Sequence, residues 1–338
     1  MKKVTIKDIA RMADVSPTTV SLVLNHKKTR VSDITKKTIF DIAEKYNYTP
    51  NMNARGLVSN KTNTVGLIIP DIENPFFSSL AKSLEIELKK EDYSLILINT
   101  DDLFDNDYNA ISLLNNRGVD AFILALSYES YQKLEEIKIL LSNLGKPYVL
   151  IDRYFDNIKA NQVSSNNEVG QYMAIKFLLD QGIKRIGYIA APKNSLNGKA
   201  RLRGYKKALK EAGVPIDDKL IKFGNFRFES GYDLTGEIIE QDVEAIATAN
   251  DMMAYGILMK LNQLNLKVPE DISVVGYDDL FYSSIDTISL TTVKQDHHLL
   301  GKEAVRLLMN AIKDITRIEE VVLKPELIIR KSVKINKI

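Results

Sequence analysis

Polar side chains recur directly after short apolar stretches of this sequence, at positions where a binding site can form. Carboxylates and amides pair with hydroxyl groups, and an aromatic ring beside them can stack on a sugar or a nucleobase. Any single member can equally be a turn or helix-capping residue, but the repeated placement predicts one site for a small polar molecule. The set comprises Asp71, Asn74, Phe76, Asp152, Arg153, Asn250, Asp251, Asp278, Asp279 and Gln295.

A second group of candidate residues lies near the start of the chain, at residues 14–24. Ser16 is a good N-cap and Pro17 suits the first position of a helix, so a short helix is predicted to begin here. Its inner face is apolar. Its outer face carries groups that can approach another surface closely, namely Thr18, Thr19, Ser21 and Leu22.

Two further short helices are predicted to position that surface. Thr5 and Asp8 resemble a capping box for a preceding helix, and the three- or four-residue turn between the two helices indicates a helix-turn-helix. Asp14 is expected to take the positive φ that the turn requires. Ser32 caps a third helix, which is predicted to close a small core with Ile34, Ile39, Ile42, Ala43 and Tyr46.

The charge distribution favours DNA binding over an ordinary helical subdomain. Residues 1–60 hold 11 Lys or Arg against 5 Asp or Glu, whereas the rest of the chain holds 35 against 39. Basic charge on a small helical unit is typical of a phosphate binder, because neutralised phosphates release their counterions.

The remaining chain alternates short apolar strands with amphipathic helices, which indicates parallel sheets covered on both faces. Strands are predicted at residues 64–69, 94–98, 121–126, 148–151, 185–190, 245–249, 272–275, 290–293 and 326–329. Helices are predicted at residues 75–90, 108–117, 131–144, 168–181, 199–211, 229–239, 252–264 and about 299–312. We predict two doubly wound lobes whose strand carboxyl ends face a shared cleft. The domains are expected at residues 1–49, 50–62 for a linker and 63–338 for the core. Within the core, one lobe is predicted to hold residues 63–160 and 292–322, and the other residues 161–291 and 323–338.

Composition excludes several classes of protein. The 338 residues include no cysteine, so a disulfide framework, a thiolate metal site and a thiol nucleophile are all excluded. No Gly-x-Ser-x-Gly elbow, Gly-x-x-x-x-Gly-Lys loop or Gly-x-Gly-x-x-Gly motif is present, which argues against an enzyme. The sequence has no signal core and no membrane-spanning apolar run, so we expect a cytoplasmic protein without a metal or cofactor.

Several motifs are specific enough to identify a family. Val4-Thr5-Ile6-Lys7-Asp8-Ile9-Ala10, Val15-Ser16-Pro17-Thr18-Thr19-Val20-Ser21 and Tyr48-Thr49-Pro50-Asn51 closely resemble the headpiece of the lactose/galactose repressor family of bacterial transcription regulators. The resemblance covers essentially the whole chain. It implies an all-α helix-turn-helix headpiece plus an α/β core of two doubly wound parallel-sheet lobes, similar to type I periplasmic sugar-binding proteins.

The resemblance also implies which residues contact operator DNA. The linker would form a hinge helix on DNA, where Leu57 from each subunit of a dimer would act as a minor-groove wedge. Leu22 departs from many relatives, which carry a larger polar side chain there, and it can offer only an apolar contact. The implied set is Thr5, Ser16, Pro17, Thr18, Thr19, Ser21, Leu22, Asn25, Arg30, Tyr48, Asn51, Ala54 and Leu57.

Effector contacts are implied by the same resemblance. Arg201 would form bidentate hydrogen bonds to the effector, Asp278 would close over it from the other lobe, and Phe226 would stack on its ring. Relatives that answer to a phosphoprotein tend to lack this arginine, so Arg201 favours a small molecule, most simply a sugar. The implied set is Asp71, Phe76, Asp152, Arg201, Phe226, Asn250, Asp278 and Gln295.

We therefore interpret the chain as a DNA-binding transcriptional regulator, most simply a repressor, that binds a near-palindromic operator as a homodimer. No leucine heptad tail follows the last strand, which favours a dimer over a tetramer. Three alternatives were weighed: an enzyme, a sugar-binding protein without a DNA function, and a regulator that answers to a protein corepressor. The basic helical head argues against the second, and Arg201 with Phe226 argues against the third.

Overall fold

The computed structural model describes residues 4–24, 28–48 and 61–335. The chain separates into two compact units, residues 1–62 and residues 63–338, and each has its own hydrophobic core. Among the described residues, no helix is both long and apolar enough to cross a membrane.

Three helices form the described part of the first unit, α1 (Ile6–Met12), α2 (Pro17–Leu24) and α3 (Asp33–Lys45). The predicted caps are confirmed. Thr5 and Asp8 form a capping box, and the Ser16 and Ser32 hydroxyls accept from backbone N–H groups three residues later. Asp14 adopts φ 52° in the turn between α1 and α2, also as predicted.

The core of this unit differs from the prediction at two positions. Ile39 and Ala43 are buried on α3 as expected, and Ile42 is partly buried. Ile34 is 80% exposed and Tyr46 is 44% exposed, so both were wrongly assigned to the core. Ile34 lies in the first turn of α3, five positions before buried Ile39 and therefore on a different face of the helix, and Tyr46 is the C-cap of α3.

The first lobe of the second unit, the N-lobe, is built on a six-stranded parallel sheet with strand order β11-β5-β4-β3-β1-β2. Its strands are β1 (Thr64–Ile69), β2 (Ser94–Asn99), β3 (Ala121–Leu124), β4 (Tyr148–Ile151), β5 (Asn161–Ser165) and β11 (Glu320–Leu323). Its helices are α4 (Pro75–Lys90), α5 (Phe104–Asn116), α6 (Leu134–Ser142) and α11 (His297–Lys313). α4 and α11 cover one face and α5 and α6 cover the other.

The second lobe, the C-lobe, has strand order β12-β10-β9-β8-β6-β7, with only β12 antiparallel to its neighbour. Its strands are β6 (Ile186–Ala190), β7 (Ile221–Phe223), β8 (Ala245–Thr248), β9 (Ser273–Asp278), β10 (Thr291–Lys294) and β12 (Glu326–Ile328). Its helices are α7 (Asn167–Asp180), α8 (Leu196–Glu211), α9 (Phe228–Ile239) and α10 (Asp251–Gln263). The predicted fold class is confirmed.

The predicted lobe boundaries need correction. β5 pairs with β4, so the first segment of the N-lobe extends to residue 165 instead of residue 160. β10 pairs with β9, so the C-lobe retains residues up to 294 instead of 291. The chain therefore crosses between lobes after β5, after β10 and after β11.

Three strands were not predicted, and one predicted helix divides. β5, β7 and β11 are short or polar, so they lack the apolar signal of the other strands. The helix predicted over residues 131–144 is a 3₁₀ turn, Tyr128–Tyr131, followed by α6. α5 begins four residues before its predicted start at residue 108.

Candidate functional site

A polar cleft lies between the lobes, beyond the carboxyl ends of both sheets. All eight residues predicted for the effector line it. Most of them follow a strand directly, as expected for a site beyond the carboxyl ends of parallel strands. The full lining is Asp71, Asn74, Phe76, Phe77, Asp102, Asp152, Arg153, Ser195, Asn197, Arg201, Asn225, Phe226, Arg227, Asn250, Asp278 and Gln295.

Arg201 on α8 is held in the cleft by several contacts. Its Nε donates to Asn167 Oδ1 at 2.7 Å, its Nη1 donates to the Ala249 carbonyl, and its guanidinium lies 3.7 Å from the centre of the Tyr277 ring. Asp278 Oδ1 is 3.9 Å from Nη1. Arg201 and Asp278 belong to the same lobe, so the expectation that Asp278 closes over the site from the other lobe was wrong.

Asp278 ends β9 with φ 119°, and Gln295 Nε2 donates to its Oδ1 at 2.7 Å. Burial raises the pKa of Asp278 well above its ordinary value, and nearby Arg201 only partly opposes this rise. Within the described part of the chain, the Gln295 Oε1 atom is buried and has no hydrogen-bond partner. A buried acceptor in this state is ready to receive a donor from a ligand.

The N-lobe contributes a charged wall to the cleft. Arg153 forms a forked ion pair with Asp102: Nη2 lies 3.1 Å from Oδ2, and Nη1 contacts Oδ1 and donates to the Leu126 carbonyl. Asp152 adopts φ 63°, and burial raises its pKa against the opposing effect of Arg201 and Arg153.

Aromatic rings provide the apolar surface. Phe76 and Phe77 begin α4, where the Asn74 side chain caps the helix by accepting from the Phe76 N–H at 3.1 Å. From the C-lobe, Phe226 adopts φ 67°, a conformation that is strained for a bulky residue. Asn250 Nδ2 donates to the Phe226 carbonyl at 2.8 Å, which helps to hold that backbone in place.

Several lining residues were not in the predicted set, and two of them connect the lobes. Asn197 Nδ2 donates to the Asp152 carbonyl at 3.2 Å, and Arg227 Nε lies 3.7 Å from Asp71 Oδ2. Both contacts join residues far apart in the sequence, so no local pattern could have predicted them. Asn74 and Arg153 line the cleft as expected from their positions after predicted strands, and the other unpredicted lining residues are Phe77, Asp102, Ser195 and Asn225.

In the first unit, α2 presents the predicted surface. Ser16, Pro17 and Thr18 are exposed, and Thr19, Ser21 and Leu22 are partly exposed on the same helix. Thr18, Ser21 and Leu22 share one face, because residues three and four apart on a helix are neighbours. The face is polar apart from Leu22.

The other predicted DNA contacts have different environments. Thr5 is engaged in the cap of α1, Arg30 is exposed, and Tyr48 packs partly against the core. Asn25, Asn51, Ala54 and Leu57 lie outside the described residues.

A helix-turn-helix unit, together with two parallel-sheet lobes around a polar cleft, defines the class of DNA-binding regulators with a periplasmic-binding-protein-like core. The sequence matches "Bacterial regulatory proteins, lacI family" over residues 5–51 and "Periplasmic binding proteins and sugar binding domain of LacI family" over residues 62–331. The chain therefore belongs to the LacI family and is a DNA-binding transcriptional regulator. Members of this family are transcriptional regulators and not enzymes.

Individual relatives agree with this assignment. An HTH-type transcriptional repressor PurR from Pasteurella multocida (strain Pm70) is 36% identical over 334 residues, covering 98% of each chain. The Lac repressor bound to ONPG in the repressed state has a TM-score of 0.86 and 27% identity, covering 98% of this chain and 100% of that one. A LacI-family regulator from Enterococcus faecium with bound ribose has a TM-score of 0.72 and 30% identity, covering 81% of this chain and 100% of that one.

Proposed function

We propose that this protein is a repressor that binds a palindromic operator as a homodimer and is controlled by a small neutral sugar in the interlobe cleft. The observation that carries the sugar assignment is the balance of charge in the cleft. Every arginine of the described lining lies within ion-pair distance of a carboxylate: Arg153 of Asp102, Arg201 of Asp278, and Arg227 of Asp71.

This pairing disfavours an anionic effector. A phosphate group is normally held by cations that are free to form charge-assisted hydrogen bonds with it. Here each guanidinium already has a carboxylate, and Asp152 adds a further acidic group to the lining. A polyol that carries no charge can instead use the carboxylates and amides as acceptors and the phenylalanine rings as a stacking surface.

The relatives support a sugar in this position. The Enterococcus faecium regulator contains bound ribose, and a second relative, CelR in complex with cellobiose, has a TM-score of 0.73 and covers 97% of this chain. The same aromatic surface could stack on a nucleobase, so a nucleobase is the alternative to a sugar as the effector. A protein corepressor is the remaining alternative, and it would leave the buried acceptor of Gln295 unexplained.

The proposed dimer rests on one relative and one surface. The Lac repressor in one solved complex is a dimer bound to operator, with a TM-score of 0.85 to this chain. In the C-lobe, the turn after β9 exposes Phe281 by 78% and Tyr282 by 48%, and Tyr255 packs edge-on against Tyr282. Exposed neighbouring aromatics are typical of a protein interface.

The proposed mechanism follows from linkage. An effector that prefers one lobe arrangement shifts the dimer between a state in which both hinge segments can fold on DNA and a state in which they cannot. In the DNA-bound state, Leu57 would be the minor-groove wedge, with Thr18, Ser21 and Leu22 facing the major groove. A DNA-bound regulator of this kind would act in the cytoplasm.

The test is a thermal-shift panel of neutral pentoses, hexoses and disaccharides, their phosphates, and nucleobases. A ligand at a hundred times its dissociation constant adds about 2.7 kcal/mol to the free energy of unfolding. We expect a neutral sugar to stabilise the protein and to change its affinity for a palindromic operator in a fluorescence anisotropy titration. Stabilisation by a sugar phosphate or a nucleobase alone would refute the sugar assignment, and no stabilisation at all would favour a protein corepressor.

A further inference from the structure

Asn197 lines the cleft, but it does not follow a strand and was therefore not among the residues predicted from the sequence. It is the second residue of α8 in the C-lobe, and its side chain is 4% exposed overall. Its Nδ2 donates across the cleft to the Asp152 carbonyl at 3.2 Å and lies 3.5 Å from Asp152 Oδ1. Its Oδ1 is buried and has no hydrogen-bond partner among the residues that the structure describes.

The orientation of this amide is determined by its surroundings. The backbone carbonyl oxygen and the Oδ1 atom of Asp152 both lie next to the Asn197 amide, and both are acceptors. The amide must therefore turn its NH₂ group toward them. The carbonyl oxygen is then left without a donor. A buried acceptor in that state is unfavourable unless a ligand or a water supplies the missing hydrogen bond.

We propose that Asn197 is an effector-binding residue in which one amide group both recognises a sugar hydroxyl and holds the two lobes together. The Oδ1 atom accepts from the hydroxyl, while Nδ2 remains bonded to the N-lobe. This inference rests on the proposed function, because it needs a hydroxyl-bearing effector in the cleft. If so, binding of the effector and closure of the two lobes are coupled at the Asn197 side chain.

Gln295 makes the contrast clear. It also has a buried amide oxygen without a partner, but its Nε2 donates to Asp278 in the same lobe. A hydroxyl bound there adds affinity without joining the two sheets. Asn197 is therefore distinguished by the lobe to which its amide nitrogen is bonded.

Asn194 supplies a matched control. Its Nδ2 also reaches the opposite lobe, at 3.5 Å from the Tyr128 carbonyl, but it does not belong to the lining of the cleft. Asn194→Ala therefore removes a contact between the lobes without removing an acceptor from the site.

The first measurement is calorimetric titration of D-ribose into the full-length wild type, Asn197→Ala and Asn194→Ala. We expect Asn197→Ala to weaken binding about tenfold or more, because it loses the acceptor and the closing contact together. Asn194→Ala should stay within about twofold. Unchanged ribose affinity in Asn197→Ala, with a normal melting curve, would overturn the inference.

The second measurement does not depend on the ligand. Because the chain has no cysteine, Asp105→Cys in the N-lobe and Lys199→Cys in the C-lobe accept dyes for energy transfer. Asn197→Asp should reduce transfer in the ligand-free protein, because it puts a carboxylate against the acceptors of Asp152. If the wild type binds no ribose, ribose is not the effector, and the energy-transfer measurement then decides the inference: reduced transfer in Asn197→Asp supports it and unchanged transfer overturns it.

Discussion

Arg201→Ala is expected to remove a structural element of the C-lobe as well as a binding group. The side chain is 3% exposed, and the substitution leaves Asn167 Oδ1, the Ala249 carbonyl and Asp278 without their shared cation. Breaking a buried ion pair by removing one partner typically costs about 3–5 kcal/mol. The penalty should fall near the lower value, because the pKa of Asp278 is already raised and its carboxyl can accept a proton.

A loss of about 3 kcal/mol corresponds to a fall in melting temperature of roughly 5 °C for a unit that spans residues 63–338. Arg203→Ala is the matched control on the same helix. Arg203 Nε bonds Glu168 at 2.8 Å, but its side chain is 60% exposed, and exposed pairs contribute about 0–1 kcal/mol. Thermal unfolding of both variants would measure the difference.

Operator affinity of Arg201→Ala should remain close to that of the wild type well below its melting temperature, since the DNA-binding unit has a separate core. The response to any effector found in the screen should disappear. Equal melting temperatures for Arg201→Ala and Arg203→Ala would refute the structural role, and a retained effector response would refute the binding role.

Three further substitutions test other parts of the molecule. Ile39→Ala should cost about 2–4 kcal/mol and unfold the small first unit, abolishing operator binding in an anisotropy titration, whereas exposed Ile34→Ala should change neither. Gly231→Ala should lower the melting temperature strongly, because its new Cβ would lie 2.1 Å from the Met253 carbonyl oxygen. Gly236→Ala on the same helix meets open space and should raise stability by up to about 1 kcal/mol, and equal melting of the two would contradict the packing argument. Burial raises the pKa of Asp251 to about 6, so the folded state keeps this proton to higher pH than the unfolded state. The resulting stability is present at acidic pH and is lost as pH rises through 6, by roughly 1 kcal/mol between pH 5 and 8; Asp251→Asn should reduce that slope in urea unfolding, and an unchanged slope would contradict the shift.

Local signals were sufficient to predict most elements of the fold. Residues 75–90 were predicted as one helix and form α4 with the same bounds, because Asn74 caps it and proline occupies the first position. Residues 148–151 form β4 as predicted, since a short apolar run can be buried on both faces of a parallel sheet.

β5 shows why the remaining elements could not be predicted. Its sequence, Asn-Gln-Val-Ser-Ser, is polar, yet all five residues are buried. Asn161 exchanges hydrogen bonds with the backbone of Arg317 and Glu319, and Gln162 bonds the backbone of Phe155 and Ile158. Buried polar groups are tolerated because these partners satisfy them, and partners more than 150 residues away leave no local pattern.

The candidate site was predictable where the chemistry follows a strand. Asp152, Asn250 and Gln295 could be selected because the carboxyl ends of parallel strands meet at one edge of a sheet. Asn197 and Arg227 could not, because their place in the cleft depends on how a helix start and a loop reach the opposite lobe.

Four lining residues of the cleft occupy left-handed backbone conformations: Asp102 at φ 64°, Asp152 at φ 63°, Phe226 at φ 67° and Asp278 at φ 119°. A side chain at such a position is chosen partly by the backbone, so few residue types can replace it without strain. Divergence toward a new ligand therefore has the least freedom at these four positions. Relatives that change specificity should do so at Asn74, Asn197 or Gln295, whose backbones allow other side chains, and engineered sensors should be randomised there first.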